Sequence, residues 1–174
     1  MPSTYTPIAT TTLGSNTANV TFSSISSAYT DLILVVTGAM TTANWVPALR
    51  FNSDTGSNYS TTLLEGSGSS AISERLSNQS QIHAGYSYGA WGTTLGENTC
   101  SWHIQNYSNS TTYKTVVGRN NVASGATSSY SGTVATVGLW RSTSAISTIL
   151  VRDNSGTALF SSGSTFTLYG VKSA

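Results

Sequence analysis

The sequence predicts an all-β fold, a jelly roll-like antiparallel β-sandwich built as one domain over residues 1–174. Short runs rich in Val, Ile, Thr, Tyr and Phe recur along the whole chain, and these residue types suit a pleated, half-buried surface. Clusters of Gly, Ser and Asn separate the runs, as turns separate strands. Ten or eleven such segments at regular spacing fit a sandwich, a jelly roll or a small barrel. The chain shows no repeat of the length that marks solenoids or propellers.

The elements follow in order. Ile8–Leu13 and Asn19–Phe22 open the pattern. Asp31–Thr37 holds the apolar run Leu32–Val36, which reads as a strand covered on both sides, with another subunit as one candidate cover. Ala48–Asn52 and Tyr59–Leu64 flank Asp54–Asn58, where Asp and Asn side chains and a glycine favour a turn. Ser70–Leu76 is the one stretch with helical character, enough for a single turn. Residues 66–98, with GSGSS and YSYGAWG, read as an elaborated loop or hairpin holding a strand near Gln81–Ala84. Cys100–Tyr107, Lys114–Asn120, Thr133–Trp140 and Ile146–Val151 come next, and Asp153–Gly156 is a second Asx-type turn. The last strand, Thr165–Lys172, places Phe166 and Leu168 on one face and Thr165, Thr167 and Tyr169 on the other.

Composition bounds the function. Ser (31) and Thr (28) make up about a third of the chain, yet 38% of residues are hydrophobic and 10% aromatic. Disordered chains pair low hydrophobicity with high net charge, so a folded, hydroxyl-covered protein is expected. Charged residues are only 7% and the net charge is +1, against about 25% charged in an ordinary domain. Seven cations with no basic run leave no footprint for nucleic acid or for anionic lipid. No apolar stretch is long enough to span a membrane. The N-terminus lacks the charged and apolar regions of a signal peptide. The single cysteine, Cys100, forms no intrachain disulfide and fits synthesis in a reducing cytoplasm. Without secretion, the five Asn-x-Ser/Thr triplets carry little weight in a chain so rich in Ser and Thr.

Catalytic patterns are sparse. A glycosidase needs two facing carboxylates, and the six acids, Asp31, Asp54, Glu65, Glu74, Glu97 and Asp153, show no such pairing in sequence. His83 and His103 stand apart, and Cys100 and His103 point to opposite faces of a strand. They read as hydrogen-bonded or surface side chains rather than as a metal site or a nucleophile pair. No cofactor motif is present. Asp54, Ser57 and Asn58 are hard oxygen ligands at short spacing, a weak candidate for calcium with one carboxylate, but an Asx turn explains the same residues. Tyr86, Tyr88 and Trp91 crowd a glycine-rich segment. Such aromatics offer a partner or glycan contact, and equally a core plug. Trp45, Trp102 and Trp140 are expected in the core.

Four runs carry a resemblance: TPIATTTLGS…VTFSSI…YTDLILV over Thr6–Val35, LRFNSDTGSNYSTTLLEGSG over Leu49–Gly68, YKTVVGRNN over Tyr113–Asn121, and VGLWRSTSAISTI…FSSGSTFTLYGVKSA over Val137–Ala174. In these the chain resembles small all-β virion proteins of tailed phages, cyanophages among them. The resemblance weakens between about Ser70 and Asn98 and brings no catalytic residue. It implies a non-enzymatic structural protein on the virion exterior, made in the host cytoplasm. Its expected partners are further copies of itself, as a homotrimer, and the major capsid protein or tail proteins. Capsid decoration (cement) is the first expectation, with residues 1–12 as an attachment arm. The alternative is a tail-fibre or tail-tip module that recognises host surface glycan. A tailspike-type glycan-degrading enzyme is the third reading and lacks its carboxylate pair.

Overall fold

The computed structural model describes residues 4–123 and 131–172. Twelve strands form: β1 (Tyr5–Thr12), β2 (Asn19–Phe22), β3 (Asp31–Gly38), β4 (Pro47–Phe51), β5 (Tyr59–Gly66), β6 (Ala71–Gln79), β7 (Ile82–His83), β8 (Asn98–Gln105), β9 (Lys114–Val122), β10 (Gly132–Trp140), β11 (Ile149–Asp153) and β12 (Thr165–Val171). They build an antiparallel sandwich of unequal sheets. The larger has eight strands in the order β1-β12-β3-β8-β9-β10-β5-β6, and the smaller has four, β2-β11-β4-β7.

Alternation drives the packing. Leu32, Leu34 and Val36 of β3, Trp102 and Ile104 of β8, Val116 of β9, and Phe166 and Leu168 of β12 are completely buried on the inner face. They meet Val20, Phe22, Leu49, Phe51, Ile149 and Val151 from the small sheet in one apolar cluster. Burying a side chain of this size stabilises the fold by roughly 1.5–3 kcal/mol, which ties each strand to its register. The run in β3 is covered on its inner side by the small sheet, while Ile33 and Val35 on the outer side remain half-exposed.

Trp102 and Trp140 lie in the core, and Trp45 packs against it. Trp102 reaches its site because its neighbour across the ladder is Gly118, where a Cβ would stand 2.8 Å from the indole.

The segment with helical character is strand β6. Ile72, Glu74 and Leu76 turn inward and are half-buried, while Ala71, Ser73 and Arg75 are exposed. That period of two, together with the ladder to β5, outweighs the helix-favouring Glu, Arg and Leu. A tight turn joins β5 to β6. In it the Ser67 amide donates to the Ser70 carbonyl, and Gly68 takes φ 90°. Of the expected attachment arm, Tyr5–Thr12 is strand β1 on the rim of the large sheet; residues 1–3 lie outside the described residues.

Candidate functional site

The small sheet does not extend over the whole of the large one. Beyond β7, the segment from Ala84 to Trp91 folds over the inner side of β5, β9 and β10, and two buried polar side chains hold it there. Glu65 is completely buried. Its carboxylate accepts the backbone N–H groups of Tyr86, Ser87 (2.7 Å) and Tyr88 (2.7 Å). Asn120, also completely buried, accepts from the Trp91 indole N–H at 2.7 Å and donates to the Gly89 carbonyl at 2.6 Å.

This geometry divides the expected aromatic contact trio. Trp91 is fully buried, packs edge-on against Phe160 at 6.3 Å, and is a core residue. It presents no face to a glycan or a partner, because Asn120 and the core enclose it. Tyr86 is 54% exposed and Tyr88 half-buried, so these two form the surface part of the trio.

The other candidates are occupied locally. One oxygen of Asp54 accepts from Gly56 N–H and the Asn58 amide, and the other accepts from the same amide and from the Trp140 indole at 2.7 Å. Burial pushes the Asp54 carboxyl up, but the bonds from Trp140, Asn58 and Gly56 outweigh it and hold the pKa below the usual value. Asn58 offers Asp54 its NH₂ group, so the pair closes an Asx turn with its donors directed at the carboxylate. Beside it Tyr59 stacks on Trp140 at 6.1 Å, and burial raises the Tyr59 phenol to about 12. Asp153 likewise gathers the amides of Ser155, Gly156 and Thr157.

His103 Nε2 lies 2.8 Å from Asp31 on the outer face, and the second Asp31 oxygen takes the Asn106 amide. His83 is buried, and desolvation lowers its pKa to about 4. Cys100 points inward, and burial raises its thiol pKa well above the ordinary value. Among the described residues no three His, Cys, Asp or Glu side chains come together as a metal site.

The outer face of the eight-stranded sheet remains. It holds three of the chain's exposed large hydrophobic side chains, Leu64, Val117 and Val137, which are 60, 47 and 55% exposed. Across the strands, Thr12, Thr165, Thr37, Thr99, Asn121 and Thr133 stand in one unbroken rank. Hydroxyl contacts join Thr12 to Thr165 (3.4 Å) and Thr37 to Thr99 (3.5 Å), and Thr133 donates to Asn121 (2.8 Å). Neighbouring members are about 4.8 Å apart, the strand spacing of a sheet. Sequence reading passed over this face. Its trace was the apolar outward positions of β9 and β10, where polar residues are the usual choice.

Comparison with known proteins gives no match to a family model, to a curated protein or to a solved structure.

Proposed function

We propose that the protein is a non-enzymatic structural component of a tailed-phage virion exterior, a capsid decoration protein working as symmetric copies. The observation that carries this reading is the position of β1. It is one of the two edge strands of the large sheet, hydrogen-bonded there to β12. From Thr6 to Thr12, among the described residues, no strand lies on its second side. An open strand edge is a template for adding a strand from another chain. Pro7 and the register shift between Pro7 and Ala9 confine such pairing to Ala9–Thr12, because proline has no N–H to donate. The four-run resemblance supplies the virion context, and the low charge suits contacts without desolvated ion pairs.

Immunogold electron microscopy of intact phage, with antibody to this chain, tests the reading. Gold spread over the head is the expected result, together with a loss of particle stability when the chain is missing. Gold confined to the tail favours a receptor-binding module instead, and absence of gold refutes an exterior role. Analytical ultracentrifugation of the isolated chain tests the trimer.

A further inference from the structure

The outer sheet face carries a groove of about 350 Å³, lined by Leu64, Gly66, Ala71, Arg119, Thr133 and Ala135. It exists because small residues coincide across four strands. Ala135 stands between Arg119 and Leu64 in the ladder. In the next rank Thr133 is followed by Gly66 and Ala71. Little side-chain bulk fills that second rank. A Cβ built on Gly66 meets nothing within 4 Å, so the glycine leaves open space.

At one wall stands a cation. Arg119 is exposed, and among the described residues its guanidinium has no hydrogen-bond or ion-pair partner. Four of the chain's six acids are engaged elsewhere, which leaves Glu74 and Glu97. Asp31 holds His103 and Asn106, Asp54 and Asp153 close their turns, and Glu65 is caged beneath the sheet. Glu74 is half-buried and turns toward the opposite face.

We propose that this groove binds a carboxylated sugar residue, a uronic or sialic acid of a surface polysaccharide. The guanidinium fork matches a planar carboxylate bidentately. Leu64 and Ala135 offer an aliphatic surface to the C–H face of a pyranose ring. The Thr133 hydroxyl donates its proton to Asn121 and keeps its lone pairs for a ring hydroxyl, and the Asn121 NH₂ stands beside it in the rank. The rank of hydroxyls from Asn121 through Thr99 and Thr37 to Thr165 and Thr12 continues this chemistry across the sheet, a track suited to a polyhydroxylated polymer. A peptide is the poorer occupant. β5, β9 and β10 are hydrogen-bonded on both sides, so only the rim strand β6 offers backbone groups for strand addition. A second copy of the chain is also disfavoured, since four of its six side-chain carboxylates are already engaged. The groove's volume lies within the range of small-molecule sites. The assignment holds whether or not the chain decorates a capsid.

The test is calorimetric titration of the intact chain with oligogalacturonate and with sialyllactose. The comparators are carboxyl-reduced oligogalacturonate, lactose and an oligoglutamate peptide. Saturable binding of an acidic sugar, lost on carboxyl reduction or desialylation, is expected. Arg119→Ala weakens it roughly tenfold to a hundredfold, the span for a hydrogen bond to a charged group. Gly66→Leu blocks the groove and abolishes binding. Both sites are on the surface, and unchanged melting temperatures establish that the variants are folded. No binding to either acidic sugar overturns the assignment. So does equal affinity for the neutral sugars or for the peptide, or an Arg119→Ala variant that binds as wild type.

Discussion

Glu65→Gln removes one charge and almost no volume from the buried side of β5. In the native chain three successive amides, of Tyr86, Ser87 and Tyr88, converge on the Glu65 carboxylate. A hydrogen bond to a charged group contributes about 1.5–3 kcal/mol, and a buried donor left without its acceptor costs about 1–3 kcal/mol. Glutamine has a single acceptor oxygen and turns an NH₂ group toward at least one of the amides. One of the three bonds is therefore lost and the others lose their charge assistance, a destabilisation of roughly 2–4 kcal/mol. For a domain of this length each kcal/mol lowers the melting temperature by about 2–4 °C. Urea and thermal unfolding followed by tryptophan fluorescence measure the loss. Hydrogen exchange at the three amides localises it, because faster exchange there reports release of the segment over β5, β9 and β10. A variant with unchanged stability and unchanged protection at residues 86–88 would refute the account of how that segment is held.

Other outcomes follow from the same structure. His83 has a folded pKa of about 4, below its ordinary 6.5, because burial disfavours the imidazolium. The unfolded chain therefore takes up the proton first. The contribution of His83 is full above pH 6.5, falls by about 3 kcal/mol as the pH drops to 4, and levels off below that. Urea titrations across this window should show the slope, and His83→Gln should flatten it. Gly170 lies directly beneath the Tyr29 ring, and a Cβ there would stand 2.3 Å from the ring edge. Gly170→Ala is expected to cost roughly 1–3 kcal/mol as the ring is pushed aside, and a wild-type midpoint in urea would contradict the close approach. Both Asp54 oxygens already take N–H donors. The melting temperature should therefore be the same in calcium and in chelator, and a calcium-dependent rise would show that the turn opens to take the ion.

The strands were legible where burial alternates strictly. In β12, Phe166 and Leu168 alone announce the inner face, and the structure buries both completely. β6 was illegible because its inward positions, Ile72, Glu74 and Leu76, are only half-buried on a rim strand and include a charge, so the period of two has little contrast. The Asx turns at Asp54 and Asp153 were readable because each carboxylate binds within four residues of itself in sequence. Glu65 binds backbone groups 21 to 23 residues away, and no side-chain motif records such a partnership. Trp91 sits in a segment without periodicity, where burial depends on the distant Asn120. The groove beside Arg119 requires the register of four strands at once, and a linear sequence does not display it.

The order in which strands enter the sheets also constrains how the chain is made. β12 is wedged between β1 and β3, and β11 between β2 and β4. During synthesis, therefore, the earliest strands are delivered without their neighbours and wait for the latest ones. Neither sheet can close gradually from one end as the nascent chain lengthens. Closure comes as a late insertion that joins strands far apart in sequence, which slows folding through its loop-closure cost. Until then β1 and β3 carry open edges side by side with those of other nascent chains, a setting that favours wrong pairing between molecules. A ribosome that stalls before β11 would leave β1 cut off from the six contiguous strands of the large sheet, and β2 cut off from β4 and β7.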